Sequence, residues 1–169
     1  DLHSFPTRRS SDLHTAIKTY KALIEPHFDC WSVVWDGLSQ QLSEKLQKLQ
    51  NRAARVLITK SSYKTNSSYL LNSLSWDNLS VRRMKQKANL MYKRVNKLAS
   101  NYLCNMFTPR TLYMSFDLRD ASQKLYLPKP RTDYLKRSFS YSGASLWNDL
   151  PEDIHTTKSL RNFKTRIEK

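Results

Sequence analysis

The stretch Trp76 to Leu98, WDNLSVRRMKQKANLMYKRVNKL, decides the fold class. Its apolar residues Val81, Met84, Ala88, Met91, Val95 and Leu98 recur every three or four positions. That is the period of an α-helix, not the alternation of a strand. Asp77 stands where an N-cap is expected, and Trp76 and Val81 have the spacing of a hydrophobic staple. Between Asn78 and Ser100 lie seven basic residues, Arg82, Arg83, Lys85, Lys87, Lys93, Arg94 and Lys97, and no acidic one. A solvated helix ordinarily mixes signs, because opposite charges three or four residues apart attract; an acid-free helix needs negative charge from elsewhere. Phosphates would supply it, and a merely solvated lysine-rich face is the plainer alternative.

The same period appears upstream, where Ser39 is a candidate N-cap for a helix carrying Leu42, Leu46, Leu49, Ala53 and Val56. Lys45, Lys48, Arg52 and Arg55 repeat one residue earlier, so one face is expected to pack while its flank presents four cations. Either seam could pair with a partner helix, but four-three spacing over so few turns is most simply core. Ala16 to Ile24 form a shorter amphipathic stretch that Pro26 should end or kink. Phe28 to Trp35 are apolar enough to be expected inside, with Trp35 a core residue, and Gly37 stops the segment. A polar connector at Ser61 to Ser68 and a short apolar turn at Tyr69 to Leu74 lead to the helix after Asp77.

Downstream the helical period fails from Thr108 to Lys136, broken by Pro109, Pro128 and Pro130. Leu125 to Leu127 and Tyr134 to Ser140 read as short strands, a hairpin around Pro-Lys-Pro-Arg. Ser142 is a candidate cap for a turn with Leu146 and Trp147 that Pro151 closes, and Ser159 for a terminal helix with Leu160, Phe163 and Ile167 on one face. Phe139, Leu146, Trp147 and Leu150 are expected to form a small aromatic core; a base-stacking platform is the alternative. The expected fold is therefore mainly α: a helical bundle with a short β-hairpin and a small C-terminal aromatic segment. A basic helical region is expected over 14–107 and the C-terminal segment over 108–169.

Composition narrows the function. With 39% hydrophobic residues, the 169-residue chain can form a core, and its net charge of +15 favours a polyanionic partner over compaction alone. No apolar run approaches the roughly 18 residues of a membrane helix, and no signal peptide is visible, so an intracellular protein of cytoplasm and nucleus is expected. Cys30 and Cys104, the only cysteines, form no CxxC and suit a reducing compartment. Catalytic patterns are weak. There is no paired-aspartate hairpin to hold two metals, and Asp117 and Asp120 stand among basic residues where surface ion pairing is the simpler role. His27 and Cys30 make a lone H-x-x-C half-site, more simply a packed pair than a zinc site. With no Gly-rich phosphate loop, nucleophile elbow or HExxH either, no catalytic residue, metal site or cofactor is assigned to this chain.

The first thirteen residues, DLHSFPTRRSSDL, resemble a translated sequencing adapter, codon by codon from Asp1 to Asp12. They are expected to be disordered and outside the fold, with native sequence beginning near His14.

Three segments in order carry a family resemblance: HFDCWSVVW (His27 to Trp35), LQKLQNRAARVL (Leu46 to Leu57) and RSFSYSGASLWNDLPEDI (Arg137 to Ile154). Together they resemble the extreme C-terminal region of the reverse transcriptases of non-LTR, LINE-type retrotransposons, over about Ala16 to Ile167. The pattern departs at Cys30-Trp31, where Tyr-Cys would be expected, which puts the local packing there in doubt. The resemblance implies a thumb and post-thumb region that holds RNA or an RNA–DNA duplex against an upstream palm of the same polyprotein. The metal-binding aspartates of that palm, and the divalent cation they hold, Mg by expectation, would precede this chain. Lys45, Lys48, Arg52 and Arg55, with Arg82, Arg83, Lys85, Lys87, Lys93 and Arg94, are the candidate phosphate contacts. Two other readings are a helical interaction module of the same polyprotein and a decayed element without activity.

Overall fold

The computed structural model describes residues 10–58, 65–112 and 124–168. In chain order its helices are α1 (Ser10–Leu23), α2 (Glu25–Asp29), α3 (Ser32–Trp35), α4 (Gln40–Leu57), α5 (Ser67–Ser73), α6 (Leu79–Val95), α7 (Asn101–Asn105), α8 (Asp133–Arg137), α9 (Phe139–Asp149), α10 (Glu152–His155) and α11 (Leu160–Ile167). The chain is mainly helical, as its periodicity requires. It divides into two compact units, one containing residues up to 31 with 39–81, the other 32–38 with 82–169. In the second unit, Asp36 of the 32–38 segment is ion-paired to Arg83 and Lys87 of α6. Among the described residues, no helix is long and apolar enough to cross a membrane.

In the first unit α1 begins at Ser10, so the helix takes in Ser10 to Leu13 of the segment expected to lie outside the fold. The apolar period explains this, since Leu13 continues the series Ala16, Ile17, Tyr20 by one turn, and Asp12 suits the positive end of the helix dipole. Tyr20 is buried and stacks on Trp76, ring centroids 4.2 Å apart. Leu23 ends α1, and Pro26 sits in the first turn of α2, where its missing N–H costs nothing. Ser39 occupies the N-cap of α4, although its hydroxyl makes no capping bond.

The inward face of α4 differs from the expected one. Gln50, Ala54 and Leu57 are buried, whereas Leu42, Leu49 and Val56 are exposed, so the helix is turned by roughly a quarter of a revolution from the seam that its leucines define. Glutamine chemistry accounts for the rotation: Gln47 Oε1 accepts the Leu79 backbone N–H at 2.9 Å, and Gln50 Nε2 donates to the Asp77 carbonyl at 3.1 Å. These side chains bond backbone groups at the entry to α6, where a helix's first N–H groups have no partner within the helix. Ala54 packs with Leu70 and Leu71 of α5, and Asn66 caps α5 by accepting from Ser68 N.

Phe28 to Trp35 are not an inside segment. A turn at Cys30 and Trp31, with Trp31 at φ 54°, splits it into α2 and α3, and Trp31 is 76% exposed with Val34 also outside. Trp35 is half-buried beneath the Arg83 guanidinium, 5.3 Å from its ring centre, and lies outside the core cluster.

The core of the second unit is built by Ala88, Met91 and Tyr92 of α6 with Phe107, Leu125, Ala144, Trp147 and Phe163. Phe139, Leu146, Leu150, Leu160 and Ile167 pack against it, so the expected aromatic core and terminal helix are both present. Trp147 is buried between the His155 ring at 4.6 Å and Phe163 at 6.1 Å, which leaves no face for a nucleobase. The Tyr92 hydroxyl donates to the Thr157 carbonyl at 2.8 Å, and Ser159 caps α11 through Asn162 N.

The expected β-hairpin is absent from the described residues. Tyr134 to Ser140 belong to α8 and α9, which meet at Ser138, and Leu125 makes a single isolated bridge to Pro109. The spacing of Phe139, Gly143, Leu146, Trp147 and Leu150, four, three, one and three, is helical and outweighs the local alternation of Phe139 and Tyr141. Leu125 is held instead by Asn148, whose amide donates to its carbonyl and accepts from its N–H at 2.9 and 2.8 Å. That side chain does for one residue what a neighbouring strand would do. Gly143 lies inside α9 against α6: a Cβ there would meet Met91 Sδ and the Phe139 ring at 3.0 Å. Ser142 is likewise an interior residue of α9, whose N-cap is Ser138.

Candidate nucleic-acid interface

The candidate cations separate into a structural set and an outward set. On α6, Arg83 and Lys87 are buried. Arg83 Nε lies 3.0 Å from Asp36 Oδ1, Lys87 Nζ pairs with the other oxygen of the same carboxylate, and Lys87 also donates to Ser142 Oγ at 3.2 Å. Ser32, at the start of α3, donates to Gln86 of α6 and fixes the same segment. Two buried ammonium and guanidinium groups would be prohibitive alone, so Asp36 supplies within the fold part of the negative charge the acid-free helix lacks.

Arg94 is structural as well. Its Nη2 donates to the Phe107 carbonyl and, at 3.3 Å, to that of Cys104, closing the α7 turn. The guanidinium lies 5.5 Å from the Phe107 ring centre. Burial pulls it below its ordinary pKa, because removing water disfavours the charged form. On α4, Arg55 is half-buried and donates to Ser67 Oγ at 3.1 Å and to the Thr65 carbonyl, tying α4 to the start of α5.

Lys45, Lys48 and Arg52 remain on the surface of α4, and Lys93 on that of α6; Arg82 and Lys85 are half-buried. None of the three outward α4 cations forms an ion pair with a described residue, and the one acid of that helix, Glu44, accepts from Gln40 at 2.9 Å. Such a face is suited to a polyanion: it presents charge without base-reading geometry, and its counterions are free to be displaced.

The sequence did not single out two further features. Asp36 is one; an acid-free helix signals that an acid must come from elsewhere, but not which. The other is Tyr134, expected in a strand, which lies on α8 with 87% of its surface exposed, three residues in sequence from each of the exposed Arg131 and Arg137. An aromatic face beside cations is the arrangement on which single-stranded bases stack.

His27 and Cys30 are both exposed, and no three His, Cys, Asp or Glu side chains converge among the described residues. Asp117 and Asp120 lie outside the described residues. No protein-family model, curated protein or solved structure matches the chain.

Proposed function

We propose that this chain grips nucleic acid through its phosphates, as the thumb and post-thumb region of a non-LTR retrotransposon reverse transcriptase would. Polymerase chemistry then belongs to a palm upstream in the same polyprotein, and the divalent cation to that palm. No step is assigned to a metal here; among the described residues no three His, Cys, Asp or Glu side chains converge. The observation that carries the reading is the outward row Lys45, Lys48 and Arg52, which forms no ion pair with a described residue, in a chain of net charge +15. RNA or an RNA–DNA duplex, met in cytoplasm and nucleus, is the proposed partner.

The test is a salt titration of binding to a structured RNA. Four phosphate contacts, from Lys45, Lys48, Arg52 and Lys93, give a log–log slope of roughly −3 to −4. A slope near zero, or no binding at low salt, overturns the proposal. Tyr134→Ala should weaken single-stranded RNA by about tenfold and leave duplex RNA nearly unchanged, because only unpaired bases can stack.

A further inference from the structure

The apolar residues that α4 turns outward form one wall of a groove whose aliphatic lining the nucleic-acid reading does not use. The groove, about 860 Å³ in volume, runs between α1 and α4, with Asp12, Ala16 and Tyr20 on one side, Leu49, Arg52, Ala53 and Val56 on the other, and Ile24 beyond the end of α1. Leu49 is 53% and Val56 61% exposed, and Leu42 and Ile24 extend the same apolar surface. Leu42, Leu46, Leu49, Ala53 and Val56 keep the four-three spacing that seats a facing helix, although the unit buries a different face of α4. A contiguous apolar strip of this kind, edged by charge, marks a docking surface.

We propose that the α1–α4 groove receives an amphipathic helix of a partner protein whose flank is acidic. Charge selects the occupant. In heptad terms Leu46 and Ala53 are a positions and Leu42, Leu49 and Val56 are d positions, which makes Lys45 and Arg52 the g positions beside them. The opposite flank carries Ser43, Gln50 and Leu57, with Gln50 and Leu57 turned into the protein. A facing helix therefore meets two cations along its exposed edge, of which Arg52 lines the groove and Lys45 lies two turns before it, against one acid in the lining, Asp12; Glu or Asp on the helix would pair with Lys45 and Arg52. A second copy of α4 fits badly. Antiparallel, it sets Lys45 against Arg52; parallel, it gives those cations only neutral partners. Nucleic acid fits badly as well, because the α4 wall is aliphatic and the Tyr20 ring is buried against Trp76.

The experiment uses the full chain and a synthetic three-heptad peptide, fluorescently labelled, with Leu at a and d and Glu at e and g. Its glutamates keep it from pairing with itself. Its twin carries Lys at those positions. Anisotropy should show micromolar binding of the Glu peptide and none of the Lys peptide. The double variant Leu49→Ser with Val56→Ser should weaken binding about tenfold or more while the melting temperature holds, because both side chains are exposed in the free protein. Lys45→Glu with Arg52→Glu should reverse the preference and admit the Lys peptide, a result no loss of folding can imitate. Equal binding of both peptides, binding of neither, or self-association that the serine variant abolishes each overturns the proposal, the last by giving the groove to a second copy. The serine variant separates the groove from RNA binding, since Leu49 and Val56 carry no charge and should leave the RNA salt titration unchanged, whereas the charge-reversed variant also removes two of the proposed phosphate contacts.

Discussion

Helices α4 and α6 carry nearly the same pattern, an apolar seam at helical spacing beside a row of Lys and Arg, yet the protein uses them in opposite ways. In α6 part of the cationic row is drawn inward: Arg83 and Lys87 are buried around Asp36, and Arg94 closes the α7 turn. In α4 the leucine seam and three of the four cations, all but Arg55, face out, because Gln47 and Gln50, at polar positions of the helix, make the hydrogen bonds that bring a different face inside. A helical wheel thus identifies which residues share a face but not which face is covered. Partners distant in sequence decide that, and here they are one carboxylate for α6 and two backbone groups at the entry to α6 for α4.

The comparison is most severely tested at the core on which α6 rests. Trp147→Ala should cost about 3 to 5 kcal/mol in thermal or chemical denaturation, since the ring is buried between His155 and Phe163. A variant that keeps its melting temperature and loses RNA binding would instead make the ring a stacking surface. Asp36→Asn comes next, at roughly 3 kcal/mol, the low end for a broken buried pair because 22% of the Asp36 side chain remains accessible. Stability unchanged by that substitution would return Arg83 and Lys87 to the list of phosphate contacts. Gly143→Ala should cost about 1 to 2 kcal/mol: the new methyl crowds Met91 and Phe139 at 3.0 Å, which outweighs the gain in helix propensity.

The smallest stability effect belongs to α4. Replacing Lys45, Lys48 and Arg52 with Gln should move stability by less than about 0.5 kcal/mol, while the salt slope of RNA binding flattens by about 2 to 3. Were the same change to unfold the protein, α4 would resemble α6 after all and the contrast would fail.

Much of the second unit was legible from residue spacing. Ser159 with Leu160, Phe163 and Ile167 marked a capped amphipathic helix, and Phe139, Leu146, Trp147 and Leu150 marked the core, because these signals depend on neighbours within three or four positions. The α9 region was misread where Phe139 and Tyr141 alternate, since two residues at period two mimic a strand until Gly143 and Leu146 reveal the longer period. Of the candidate interface, the outward α4 cations were legible. The burial of Arg83 and Lys87 was not, because it depends on an acid 47 residues away from Arg83.

What the sequence determined by itself is the helical character of the chain, the places where prolines and caps interrupt it, and an excess of positive charge that internal acids cannot neutralise. Each follows from local sterics or from a sum over residues, and neither needs knowledge of distant contacts. Only the tertiary structure decided which cations are spent inside the fold and which face solvent, and that the leucine seam of α4 lines an open groove. The reason is physical: burying a charge or exposing a leucine is acceptable only in view of what lies against it, and the partners that settle the matter, Asp36 for α6 and the backbone at Asp77 and Leu79 for α4, are remote in the chain.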